Sequence, residues 1–142
     1  MRRALAAALL AIGLALPAPA AAADRSAPEP VAARDAAADA LAVHDYLLSC
    51  GGCHALDGSG SEHVPALRGL DRLLARPGGR AYLVRVPGVT NAPLSDARLA
   101  ALLDWIFVNF GNRTPAGFSA EEVAAGRAAP LVDPIAARAA LE

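Results

Sequence analysis

The chain has 142 residues, a formal charge of -1 and a composition that is 55% hydrophobic but only 4% aromatic. Such a length holds one small domain, and a slightly acidic balance argues against nucleic acid or an anionic membrane as partner, since both call for basic patches. Lysine is absent and arginine supplies every positive side chain, a bias of composition that carries no functional weight.

Residues 1–23 read as an export signal. Arg2 and Arg3 form a positive start, Ala4 to Leu16 is an uncharged apolar run, and Ala21-Ala22-Ala23 before Asp24 fits a small-residue cleavage site. The run is broken at Pro17 and Pro19 and falls short of the roughly 20 residues of a spanning helix, so no stable membrane span is expected after cleavage. Loss of Arg2 and Arg3 takes the formal charge from -1 to -3. Residues 24–34, with Pro28 and Pro30, read as a flexible leader.

Asp35 to Ser49 contains neither Pro nor Gly, and Ala36, Ala40, Val43, Leu47 and Cys50 fall at helical spacing. An amphipathic helix is therefore expected to lead into the segment Cys50-Gly51-Gly52-Cys53-His54. This C-x-x-C-H spacing is the one that covalent attachment of a c-type haem requires. Cys50 and Cys53 can each add to a haem vinyl group, and His54 then becomes an axial ligand of the iron. A disulfide, a thioredoxin-like redox pair and half of a zinc site are the other chemistries open to two such thiols. Zinc would need a second ligand pair, yet Cys50 and Cys53 are the only cysteines, and His44 and His63 the only other histidines. One motif implies one haem c per chain. Export and haem attachment agree on a bacterial periplasm as the address.

Residues 55–66, with Gly58, Gly60 and Pro65, read as a loop. Short helices are predicted over Leu67 to Ala75 and Arg80 to Val86, ahead of Pro77-Gly78-Gly79 and Pro87-Gly88. Ser95 is a candidate N-cap for a longer helix in which Leu99, Leu102, Leu103, Ile106, Phe107 and Phe110 share one face until Gly111. The domain is thus read as 35–111 and the remainder as a C-terminal extension, 112–142. In that extension Ser119-Ala120-Glu121-Glu122 has capping-box spacing. Pro130 and Pro134 break the helix begun there, and Leu131, Val132, Ile135 and Leu141 are candidate anchors that wrap the extension onto the domain. No segment alternates with a period of two, so an all-α fold is expected.

A helix ending in C-x-x-C-H, a loop with a proline, short helices and a final amphipathic helix together resemble the class I cytochrome c family over Ala36 to Phe110. The resemblance implies a small cytochrome c-like domain with helices packed around one covalently attached haem. Val64-Pro65-Ala66-Leu67-Arg68-Gly69 is similar to that family's Pro-x-Leu-x-Gly stretch. By that likeness the Pro65 carbonyl accepts a hydrogen bond from His54 and fixes its tautomer, and Leu67 packs against the porphyrin. The contact between first and last helices takes its aromatic partner from Trp105 or Phe107.

One departure from the family is evident. Its second axial ligand is usually a methionine near the last helix, whereas the only methionine here is Met1. Val86 to Leu94 offers Thr90 and Asn91 in its place. The distal ligand is therefore unassigned. His63, two residues before Pro65, is a candidate that the likeness puts nearer the proximal side, while His44 reads as a partly solvated helix residue. Tyr46 and Tyr82 read as packing or propionate-contact residues, and Arg80 and Arg85 as propionate partners. The resemblance implies one-electron transfer, by a soluble carrier or a small subunit that meets a periplasmic dehydrogenase, reductase or terminal oxidase. A diatomic-gas sensor or small peroxidase-like enzyme using an open distal site is the alternative.

Overall fold

The computed structural model describes residues 31–111 and 115–142, and the export-signal reading over 1–23 lies outside them. Eight helices and no strand occur among the described residues, as the all-α expectation required. The first, α1, is described over Val31–Ser49 and so takes in four residues of the expected leader. A turn at Cys50 links it to α2 (Gly51–His54). Then come α3 (Leu70–Leu74), α4 (Gly79–Arg85), α5 (Pro87–Thr90), α6 (Asp96–Phe110), α7 (Ala120–Ala128) and α8 (Pro134–Ala139). No helix among the described residues is long and apolar enough to cross a membrane.

α6 is the spine. Its first turn is capped by the Ser95 hydroxyl, which accepts from the Arg98 N–H at 3.3 Å. Leu99, Leu102, Leu103, Ile106 and Phe107 are buried along one face, as their spacing predicts, while Phe110 at the end is half-buried. α1 meets this helix through a different face from the one predicted. Val43 and Leu47 are exposed, and the buried residues are Ala42, Asp45 and Tyr46. Alanine on nearly every side of α1 makes its apolar period ambiguous, and an aromatic contact and an ion pair decide its rotation. The Tyr46 ring lies 5.6 Å from Trp105 and 5.1 Å from Phe110. Of the two aromatic candidates, Trp105 meets α1; Phe107 turns inward to Phe118 at 5.9 Å.

Residues beyond Gly111 enter this core. α7 begins with a complete capping box between Ser119 and Glu122, matching its sequence spacing. Val123 is fully buried, and Gly126 sits so close to the Val84 carbonyl that a Cβ there would overlap it. Arg80 stacks 4.4 Å from the centroid of Phe118, pairs with Glu122 and donates to the Ala116 and Gly117 carbonyls. Arg127 donates to the Ala92 and Leu94 carbonyls, both at 2.8 Å, and so ties α7 to the chain between α5 and α6. Two of the expected anchors do not act as such. Val132 and Ile135 are exposed, whereas Leu141 packs half-buried against the core and half-buried Leu131 is tied through its N–H to the Arg85 carbonyl at 2.9 Å.

Candidate functional site

Between α2, α4, α5 and α6 lies a cavity of about 350 Å3, within the range of cofactor and small-ligand sites. Cys50, Cys53, His54, His63, Pro65 and Leu67 all line it. Leu99, Leu102, Leu103, Ile106 and Phe107 of α6 supply an apolar wall. Tyr82 of α4 and the Val86 to Val89 segment supply another.

The motif reaches this cavity as a near-continuation of α1. The Cys50 N–H donates to the Tyr46 carbonyl at 2.8 Å, and the Cys50 carbonyl accepts from His54 at 2.9 Å, so both thiols and the imidazole are carried on helical turns. Cys50 is half-buried and Cys53 exposed, both as free thiols. Burial, with Cys53 and Asp45 nearby, pushes the Cys50 thiol up to about 11. That is opposite to the depressed pKa that makes a thiol a fast attacking group in disulfide exchange. No group of three or more potential metal-ligating side chains occurs among the described residues.

His54 Nδ1 lies 2.9 Å from the Pro65 carbonyl oxygen. A carbonyl only accepts, so Nδ1 carries the proton and Nε2 keeps its lone pair. Burial lowers the His54 pKa, opposed in part by that hydrogen bond, so the ring is held neutral near pH 7. Proline suits its position because its carbonyl is committed to the ring and it has no N–H to satisfy.

A tight loop makes this contact. The Leu67 N–H donates to the Gly58 carbonyl at 2.9 Å, and Ser61 donates to the Val64 carbonyl at 2.8 Å. Gly58, at φ 69, lies against the face of Phe110, where a Cβ would intrude on the ring. Ala55, directly after the motif, adopts φ 61 and ψ 167, a region that is almost exclusively glycine's and costs about 1–3 kcal/mol. Its carbonyl accepts from the Tyr46 hydroxyl and, at 3.4 Å, from the Gly58 N–H. Strain is therefore placed one residue from His54 and held there by the α1–α6 contact.

The remaining sequence-selected residues divide clearly. His63 is exposed but lines the cavity, on the same loop as Pro65. His44 is exposed, does not line it and lies 3.4 Å from Asp45. Arg80 is taken up by Glu122 and Phe118, and Arg85 donates to the Ala129 carbonyl at 2.6 Å; neither lines the cavity. Arg138 of α8 does line the cavity, together with Pro134. No pattern in the sequence marks Arg138, since a single arginine in a short, alanine-rich helix looks like any solvated residue.

No family model, no curated protein and no solved structure matches this chain.

Proposed function

We propose that the protein is an exported monohaem c-type cytochrome that moves single electrons, as a soluble carrier or as the small subunit of a periplasmic redox enzyme. The observation that carries this reading is the meeting of two free thiols, a neutral imidazole with a committed Nδ1 and an apolar wall around one cavity. When bound, haem supplies the iron that alternates between two oxidation states. Cys50 and Cys53 would hold it by thioethers and His54 Nε2 would be its proximal ligand. Pro65 orients that imidazole and raises its basicity, and Leu67 with the α6 side chains excludes water from the macrocycle. The elevated Cys50 pKa favours this reading over a thiol–disulfide catalyst.

The second axial position is the point at which the reading departs from ordinary class I cytochromes. Beyond the motif, the cavity-lining nitrogen and phenol donors are His63 and Tyr82. His63 shares the Pro65 loop, and burial raises the Tyr82 pKa, which keeps that phenol protonated and a poor ligand. With haem bound, these residues would leave the distal site weak or open. It is the one feature that favours the alternative, binding of a diatomic gas or peroxide.

Haem linkage is tested on denatured protein purified from the periplasm. A pyridine haemochrome of the thioether type, lost in the Cys50→Ala/Cys53→Ala variant, is expected, with an amino terminus near Asp24. Haem extractable into acidified organic solvent would overturn the assignment.

A further inference from the structure

A second concavity lies beside the first and shares Arg138 with it. It has a volume of about 330 Å3 and is walled by Arg68, Arg72, Arg76 and Arg138, with Leu73 and Leu141 as apolar lining. Four arginines thus line one cleft of a chain whose formal charge is -1.

Three of these arginines recur every fourth residue, from just before α3 to just after it, a spacing at which like charges repel one another and destabilise the segment. Arg68 is partnered by Asp57 at 2.7 Å, and Arg138 by Glu142 at 2.7 Å. Among the described residues Arg72 and Arg76 have no acidic partner. Arg72 lies over Gly69, where a Cβ would come within 3.1 Å of Nη2, so the missing side chain at φ 76 lets the guanidinium stay against the cleft. Glu142, the acidic residue of the lining, indicates the chemistry the cleft accepts. Its carboxylate already sits on Arg138, and with 60% of the side chain exposed it is readily displaced.

We propose that this cleft binds a small molecule carrying two or more oxyanion groups, phosphate or carboxylate. Arg72 and Arg76 are its main contacts, Arg68 and Arg138 flank it, and Glu142 occupies part of the site in its absence. Arginine's planar fork pairs two N–H groups with two oxygens of such a group. A concave site of small-ligand size with apolar lining fits a small molecule better than the flat face of an acidic protein. The proposal stands independently of the haem reading.

Isothermal titration of the purified chain with pyrophosphate, and separately with citrate, at low ionic strength is the test. Saturable one-to-one binding of either is expected, and the preferred probe tells phosphate from carboxylate. Arg72→Gln/Arg76→Gln should weaken it at least tenfold. Glu142→Gln should tighten it severalfold by removing the internal competitor, and Arg85→Gln, which does not line the cleft and donates to the Ala129 carbonyl, should leave it unchanged. Circular dichroism is expected to show the same fold for these surface variants. No saturation by millimolar ligand, or unaltered affinity in the double variant, overturns the proposal. So does binding of poly-glutamate alone, which would reassign the arginines to an acidic protein surface. Binding by haem-free chain that disappears in haem-loaded chain would assign them to the haem's own carboxylates and overturn it equally.

Discussion

Asp45, 3% exposed on α1, is held by Arg98 of α6 through both carboxylate oxygens, with Arg98 Nε donating to Oδ2 at 3.1 Å and Nη2 to Oδ1. A carboxylate that deep needs its cation, so the pair fixes which face of α1 turns inward. Arg98→Ala leaves the charge buried without its partner and should cost about 2 kcal/mol, read as a shift of the urea midpoint. Asp45→Ala/Arg98→Ala should cost less than the sum of its single variants. Strict additivity would mean that the pair is not what orients the helix.

Ala55 supplies a prediction of opposite sign. Its φ of 61 and ψ of 167 suit glycine, so Ala55→Gly should raise stability by about 1 kcal/mol, even though glycine is more flexible in the unfolded chain. Tyr46→Phe removes the hydroxyl that anchors the Ala55 carbonyl and should lower stability by about 1 kcal/mol. Thermal unfolding of both variants checks the pair of effects, and a destabilised Ala55→Gly would remove strain from the account.

Close approach of backbones predicts a contrast between two glycines. Gly126→Ala drives a methyl into the Val84 carbonyl and should destabilise by about 1–3 kcal/mol. At Gly52 nothing lies within 4 Å of a new Cβ, and Gly52→Ala, inside a helical turn, should be neutral or slightly stabilising. Equal denaturation midpoints for the two variants would contradict the packing of α7 on α4.

Acid should loosen α7. The hydrogen bond from Arg80 to Glu122 holds that carboxyl down to about 2, well below the ordinary 4.5. A depressed folded pKa means stability that is present above about pH 4.5 and lost as pH falls toward 2. Since 38% of the Glu122 side chain is exposed, solvent screens the pair, and the loss should be about 1 kcal/mol. Glu122→Gln should flatten this limb of the stability profile, measured by chemical denaturation across pH 2–6.

The distal face of the proposed haem can be examined optically. With no methionine beyond Met1, purified haem-loaded protein should lack the near-infrared band of iron–methionine ligation and should bind carbon monoxide when reduced. His63→Ala should leave the spectra nearly unchanged, because His63 shares a loop with the acceptor of His54. Conversion from low to high spin in that variant would make His63 the ligand.

Which parts of the fold are legible in the sequence depends on how local their causes are. The α6 face, the Ser95 cap and the Ser119 capping box depend on residues a few positions apart, and spacing alone reveals them. The rotation of α1 is hidden because Val43 and Leu47 look more apolar than Asp45, and only the distant Arg98 offsets the cost of burying Asp45. α5 is hidden too, because four residues opening with Pro87-Gly88 resemble a turn. The thiols, His54 and Pro65 are marked by a motif and a resemblance. Arg138 comes to the cavity through chain topology, which no local pattern encodes.

The two cavity walls differ in the time at which they come into existence. Ser49 to His54 contribute one side, and Pro134 with Arg138 contribute another, eighty or more positions later. A chain that emerges amino end first presents Cys50, Cys53 and His54 before the later wall exists. Were the proposed haem attached at that moment, it would meet an open half-shell and need no entry gate. Pro134 and Arg138 of α8 complete the lining only afterwards.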